Sequence, residues 1–539
     1  VSVSAVDELC RSYLDARWHF DPSAASAAGL TSHDGRLGRY DEAGVRELTA
    51  ALRALAGAAE ELDVDGQDEE IDRTALLDEL RVAVFRFQHE QPHRRNPAFW
   101  LRHLLDGLHA LAGRPSSGGE TAGAALARLR EVPAFLDAGR DTLKEPPRVL
   151  SDAALAMLGG GGELVVEVVQ RFGTGTPELR PSLEEAGAGA LAALKVFGAA
   201  LTGRLTPSAD PTAFAAGEAQ FNRRLHHEHA LLASAPELWR YGLHLRDEVE
   251  AELEQVARRI DPSRHWRDLV ERLRDESAPA EGALLGLYAA EVERAERFLA
   301  DGTLVAPAGA PIEVAATPAY LRAVVPIAKY HAAPAVESGP VARLLVTEPP
   351  RGLGDAARQR LLRDHGTLGM PSLVAHEVFP GRHQQAARAR ELSMVRQFVG
   401  TPLTAAGWAL YAEDAMADAG FLPGLEARLF QLVRRLWFAV RVDLDIGLHT
   451  RGMTAEEAVE ELVRRVPMER RHAEAEVLWL CQAPTYGLCD AVGRRELLAL
   501  RASAAERAGA AFSPRGFHDD VLGYGALPVS LVRWGMGLD

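Results

Sequence analysis

Apolar residues return at three- and four-residue intervals over most of the chain, as at Leu48, Leu52, Leu55 and Ala59 or Leu245, Val249, Leu253 and Val256. That spacing places them on one face of an amphipathic helix and predicts a succession of helices as far as residue 302. The pattern breaks between Thr303 and Pro350, where Pro307, Pro311, Pro318, Pro326, Pro334, Pro340, Pro349 and Pro350 forbid long helices and Val341 to Thr347 reads as a short strand. Helical spacing then resumes and runs nearly to Ala511, leaving a loop-rich end from Phe512 to Asp539. The expected fold is therefore mainly α, a large multi-helix fold with a small β-sheet near residues 303–350. It is read as one unit over residues 1–539, with a helical part to 302, a β-containing segment at 303–350 and a second helical part at 351–539. Gly and Pro clusters at Gly113 to Gly119, Gly159 to Gly162, Gly173 to Pro177 and Pro207 to Pro211 read as short loops rather than linkers. The run Gly159 to Gly162 lacks the Lys-Ser/Thr of a phosphate loop and is expected to be a turn.

Composition narrows the partners. A hydrophobic fraction of 47% and a charged fraction of 25% in 539 residues are those of an ordinary globular protein. The formal charge of -16 argues against a nucleic-acid partner, because phosphate binding is driven by Lys and Arg. Cys10, Cys481 and Cys489 are too scattered for a disulfide framework, and Val1 to Tyr13 mixes Asp7, Glu8 and Arg11 into its apolar residues, unlike a signal peptide. The most apolar long stretch, Ala186 to Gly203, is rich in Ala and Gly and interrupted by Lys195, which reads as a packed helix rather than a membrane span. These features predict a cytoplasmic protein with no membrane partner.

The sharpest chemical signal is the run from His376 and Glu377 through Phe379, Pro380, Gly381 and Arg382 to His383, Gln384 and Gln385, preceded by the apolar Leu373, Val374 and Ala375. A His-Glu pair on a buried helix is how zinc hydrolases set a metal ligand beside a general base. The usual spacing puts the second histidine four residues on, about 6 Å along a helix. Here that position is Pro380. His383 lies seven residues on, about 10 Å away in a straight helix, so metal binding requires a bend. Pro380 and Gly381 make a bend reasonable. The alternative is a buried, hydrogen-bonded His-Glu pair at a helix break. A second cluster, His226, His227, Glu228 and His229, reads as a solvated or hydrogen-bonded helix surface, since only His226 and His229 can share a face.

The segment resembles the His-Glu-x-x-Pro-Gly-His-His-x-Gln signature of the bacterial domain-of-unknown-function 885 family, whose members resemble zincin metallopeptidases. The likeness spans nearly the whole chain in order. Asp21-Pro22 through Gly29-Leu30 with His33-Asp34, then Arg95-Asn96-Pro97, Gly407-Trp408-Ala409-Leu410-Tyr411-Ala412-Glu413, Asp445-Ile446-Gly447-Leu448-His449, and Phe517-His518-Asp519 with Gly525-Ala526-Leu527-Pro528 each follow a family motif. The resemblance implies a zincin-like fold. The departures fall on polar positions: Arg382 stands for the first of two consecutive histidines, Ala406 for the acid that opens the Glu-Gly-Trp-Ala motif, and Trp479, Leu480, Tyr486 and Asp490 occupy polar positions between the retained Glu476 and Gly493.

Two functions fit this pattern. The first is a divergent hydrolase of peptide or amide bonds, with Glu377 activating water and zinc held by His376, His383 and a third ligand, Glu413 foremost, with Asp414 and Glu476 as alternatives. Arg382, Tyr411, His449 and Tyr486 are its candidate substrate-binding residues. The second is a non-catalytic or repurposed protein that binds a peptide or small metabolite in the inherited cleft, with Arg382 as a fixed positive charge beside the former metal position. Bland roles stand beside both: an Asp445–His449 pair, a His518–Asp519 hydrogen-bonding corner, and Trp408 and Tyr411 as core or pocket-wall aromatics.

Overall fold

The computed structural model describes residues 4–114, 119–203, 205, 207–322, 325, 327–336, 339, 341–350 and 352–538. The chain is mainly helical with one small sheet, as its periodicity predicts. Helices start where side chains satisfy the free backbone amides of the first turn. Ser4 accepts from the amide of Asp7 at 3.0 Å, Asp41 accepts from Gly44 at 2.7 Å, and Ser234 with Glu237 closes a capping box at the head of Ala235–Ile260. The apolar stripes meet in three clusters. One gathers the N-terminal helices around Trp100, Phe172 and Phe197. A second lies where Ala235–Ile260 runs along Leu425–Thr450. The third joins the sheet to the C-terminal helices.

The sheet has strands β1 (Ile312–Ala316), β2 (Ala328–His331) and β3 (Ala342–Val346) in the order β1-β3-β2. β3 is the strand expected at Val341 to Thr347, and its Leu344 and Val346 are fully buried. It pairs parallel with β1, Val314 opposite Leu344, and antiparallel with β2, Tyr330 opposite the same residue. Pro326 and Pro340, two of the prolines expected to confine this region, lie outside the described residues, as does part of the Gly113 to Gly119 loop.

Two expectations fail. Gly159 to Gly162 form no turn but lie inside the helix Arg148–Gly175, which also takes in the loop expected from Gly173. The reason is contact: a Cβ on Gly160 would stand 2.5 Å from the backbone nitrogen of Tyr320, so only a bare backbone lets that segment approach the helix. The end of the chain is not mostly loop, since Pro514–Leu522 and Val529–Gly535 are helices that bury Phe517, Val521, Val529 and Val532. By length and composition alone, Arg148–Gly175 and Pro177–Thr202 are long and apolar enough to cross a membrane. Each nevertheless turns a stripe into the first cluster, Val165, Val168 and Phe172 from one and Ala190, Leu194 and Phe197 from the other, with Lys195 on the exposed side.

Candidate functional site

Six helices and one strand build the site: α1 (Met370–Glu377), α2 (Arg382–Ala389), α3 (Pro402–Asp418), α4 (Leu425–Thr450), α5 (Arg470–Leu480), α6 (Cys489–Ala508) and β2. Pro380 does break the helix, and more completely than a kink: α1 stops at Glu377 and α2 starts afresh at Arg382. Gly381 is required between them because a Cβ there would stand 1.9 Å from the carbonyl oxygen of His376. Trp408, on α3, donates from Nε1 to the carbonyl of Pro380 at 2.9 Å and so fixes the turn that presents Arg382.

A cleft of about 100 Å³ opens at this break, lined by His376, Glu377, Arg382, Tyr486 and Asp490 and walled by the aromatics Trp437, Phe438 and Trp479. The His376 ring stacks on Phe438 at 5.3 Å. Its Nδ1 lies 2.9 Å from Glu413 Oε1, which also accepts from Arg434 Nη2 at 3.2 Å, so Nδ1 carries the proton and donates. Burial holds the His376 pKa down to about 3 and pushes Glu413 up to about 7, leaving a neutral imidazole whose Nε2 faces the cleft. That nitrogen is 3.5 Å from Asp490 Oδ1 and 3.8 Å from Glu377 Oε1.

Arg382 reaches into the same space. Its Nε is 3.7 Å from Glu377 Oε2 and its Nη2 is 3.6 Å from Asp490 Oδ1, so one guanidinium bridges the two carboxylates beside His376 Nε2. Glu377 is further held by the backbone amide of Tyr330, which donates to Oε2 at 2.8 Å. Arg441 binds Glu476 through Nε at 2.9 Å and Asp490 through Nη1 at 2.8 Å. Lys329, on β2, sits 4.6 Å above the Trp479 ring, and burial lowers its pKa to about 8.

The expected convergence of His376 and His383 does not occur. His383 rides on α2 between the rings of Tyr330 and Phe379 and donates from Nε2 to the carbonyl of Ala310 at 2.9 Å, outside the cleft lining. Glu413 meets His376 from behind rather than from the cleft side. Among the described residues no group of three His, Cys, Asp or Glu is arranged to hold a metal ion. The donor set drawn from the resemblance, His376, His383 and Glu413, therefore does not fit a zinc centre. Ala406, where that resemblance expects an acid, is fully buried in the second apolar cluster.

Of the substrate-binding candidates, Arg382 and Tyr486 line the cleft, and Tyr411 and His449 do not. Tyr411 pairs its hydroxyl with His518 Nε2 at 2.7 Å in the core. His518 also bonds the carbonyl of Leu304 at 2.8 Å, and Asp519 accepts from the amide of Ala306 at 3.0 Å, which is the expected structural corner. His449 bonds the carbonyl of Leu480 at 3.0 Å and is only 3.8 Å from Asp445. Asp445 instead accepts the amides of Thr485 and Leu488, both at 3.2 Å, and so shapes the loop that carries Tyr486. His229 is not solvated: it is buried, 2.6 Å from Thr401 Oγ1 and 2.9 Å from Thr485 Oγ1, beneath that loop. Sequence reasoning missed Lys329, Arg434 and Arg441 altogether. The two arginines sit seven residues apart on one face of α4, a spacing that marks a shared face but names no partner.

None of the curated proteins matches the chain. Among solved structures it is similar to a candidate lipoprotein of unknown function from Shewanella oneidensis, at 19% identity and a TM-score of 0.80, covering 99% of this chain and 100% of that one. A candidate lipoprotein from Colwellia psychrerythraea is similar at 18% identity and a TM-score of 0.83, with both chains covered in full, 100% each. These likenesses concern the fold. A family model matches residues 22–536, and with more than half of its length covered the chain belongs to the bacterial proteins of unknown function grouped as DUF885.

Proposed function

We propose that this protein is a repurposed member of a zincin-like scaffold that binds a peptide end or a small metabolite in the cleft beside His376, without a resident zinc ion. The observation that carries this reading is the Arg382 guanidinium, which bridges Glu377 and Asp490 where a hydrolase of the resembled kind would place a cation. A guanidinium supplies fixed charge and directed N–H donors but no Lewis-acid activation of water. The cleft of about 100 Å³ is small, yet it shares Lys329 and Trp479 with a neighbouring cavity of about 280 Å³, giving a longer ligand room to continue. An anionic end placed near Lys329 and Arg382 would have Trp437, Phe438 and Tyr486 against its apolar part.

Metal analysis of the tag-free protein under chelator-free conditions, together with a peptide-hydrolysis assay, tests the proposal. The expected result is no stoichiometric zinc and no hydrolysis sensitive to Glu377→Ala, with Arg382→His gaining zinc affinity over the parent. Stoichiometric zinc in the parent, with hydrolysis lost in Glu377→Ala, would overturn it.

The cellular location is read differently from the sequence-based expectation. Cys10, Cys481 and Cys489 are all buried, so their reduced state fits an oxidising compartment as well as a reducing one. The two similar structures are candidate lipoproteins, and by analogy we place this chain outside the cytoplasm. Fractionation that recovers the native protein with cytoplasmic markers would refute that placement.

A further inference from the structure

The polar groups that meet at the cleft beside His376 divide into those the fold has engaged and those it has left open. Arg441 is engaged by Glu476 at 2.9 Å and Asp490 at 2.8 Å, and Arg434 by Glu413 at 3.2 Å. His376 donates from Nδ1 to Glu413, so its Nε2 is an acceptor, and it has no hydrogen bond among the described residues. Glu377 accepts the Tyr330 amide at Oε2 and nothing at Oε1, which lies 3.8 Å from that Nε2. Two open acceptors therefore face one space. Asp490 Oδ1, 3.5 Å from the same nitrogen, adds negative charge beside them.

The open donors lie next to these acceptors. Arg382 meets Glu377 and Asp490 at 3.7 and 3.6 Å, close enough for charge but beyond hydrogen-bond range, so its N–H groups are unbonded among the described residues. Lys329 makes neither an ion pair nor a hydrogen bond among them: its ammonium rests on Trp479 at 4.6 Å, with Glu377 and Glu476 favouring its charge and Arg382 and Arg102 opposing it. Glu377 borders both groups, Oε1 on the side of His376 and Oε2 on the side of Arg382.

We propose that the cleft takes a free α-amino acid with an apolar side chain: the ammonium on His376 Nε2 and Glu377 Oε1, the carboxylate on Arg382 and Lys329, the side chain against Trp437 and Phe438. This deepens, and rests on, the reading of the cleft as a binding site without zinc. Acceptors and donors that adjoin match a ligand whose two charges sit on one carbon. In an extended peptide each added residue moves the ends about 3.3–3.6 Å further apart, and a cleft of about 100 Å³ favours the smaller ligand. The guanidinium fork suits a carboxylate, and an ammonium suits a neutral imidazole nitrogen beside a carboxylate.

Calorimetric titration of the full chain with L-leucine, N-acetyl-L-leucine, L-leucinamide and L-leucyl-L-leucine tests this. Leucine is expected to bind. Acetylation removes the ammonium, amidation removes the carboxylate and the dipeptide separates the two. Each is expected to bind at least about tenfold more weakly, the loss of one charged hydrogen-bonded contact. Glu377→Gln and Arg382→Gln should each weaken leucine by a similar factor, and the comparison of ligands on the parent protein needs no variant. No binding by leucine, equal binding by the acetylated or amidated form, equal or tighter binding by the dipeptide, or undiminished leucine affinity in both variants would each overturn the proposal. Any of these in a protein free of zinc refutes the amino acid alone, whereas stoichiometric zinc with hydrolysis dependent on Glu377 refutes the reading of the cleft beneath it.

Discussion

Glu413 and Arg382 show how a residue's type can be legible while its task is not. Glu413 reads from the resemblance as a metal ligand, yet it is 1% exposed and faces His376 Nδ1, so it sets the tautomer of the imidazole rather than filling a coordination position. Glu413→Gln keeps the shape and removes the charged acceptor shared by His376 and Arg434. It should cost about 1–3 kcal/mol in urea unfolding. An unchanged midpoint and slope would mean that the pair contributes nothing. Arg382 is visible in the sequence as a departure from a motif, but the carboxylates it bridges come from α1 and from α6, more than a hundred residues away in the chain, and only the fold brings Asp490 to it.

At the scale of elements, glycine separates what periodicity can and cannot reveal. Four consecutive glycines read as a turn by composition, because glycine is a poor helix former. They are helix here because the helix is held by contacts along its whole length, and because Tyr320 needs the room above Gly160. The neighbours therefore respond oppositely to alanine. Gly159 has nothing within 4 Å of an added Cβ, so Gly159→Ala should stabilise the protein by about 0.5–1 kcal/mol. Gly160→Ala should destabilise it by more than that, because its Cβ would collide with backbone atoms of Ala319 and Tyr320. Denaturant melts of the two variants that moved in the same direction would contradict the packing argument. The break at Pro380 is legible from the residue itself, whereas the direction in which α2 leaves it depends on Gly381 and on the Trp408 hydrogen bond.

The whole molecule buries an unusual set of titratable groups. Burial holds His93, His109, His229 and His449 down to about 4, and His365 and His376 to about 3. It pushes Glu413, Asp443 and Asp445 up to about 7. The histidines add stability that is complete above their unfolded pKa near 6.5 and is lost as pH falls toward 4. The raised acids act in the opposite sense, adding stability below about pH 4 that is lost as pH rises toward 7. Six histidines outweigh three carboxylates, so between about pH 6.5 and pH 4.5 the unfolded chain takes up more protons than the native one. The melting temperature should fall on going from about pH 7.5 to about pH 5, ahead of ordinary acid unfolding. A melting temperature that held or rose over that interval would show that the buried acids dominate.

Helix content, the confinement of strands to the proline-rich segment, the helix break at Pro380 and the family are all properties of local order along the chain, and the amino-acid sequence by itself determined them. Apolar periodicity, missing proline amides and ordered motifs depend on residues near one another or on their succession, so no three-dimensional knowledge is needed to read them. The tertiary structure alone decided which charges meet. His376, Arg382, Arg441 and Asp490 come from four helices, and His383 is turned out of their cleft by a turn of four residues. Electrostatic partnership is set by distance and burial across the fold, and spacing along a sequence carries neither.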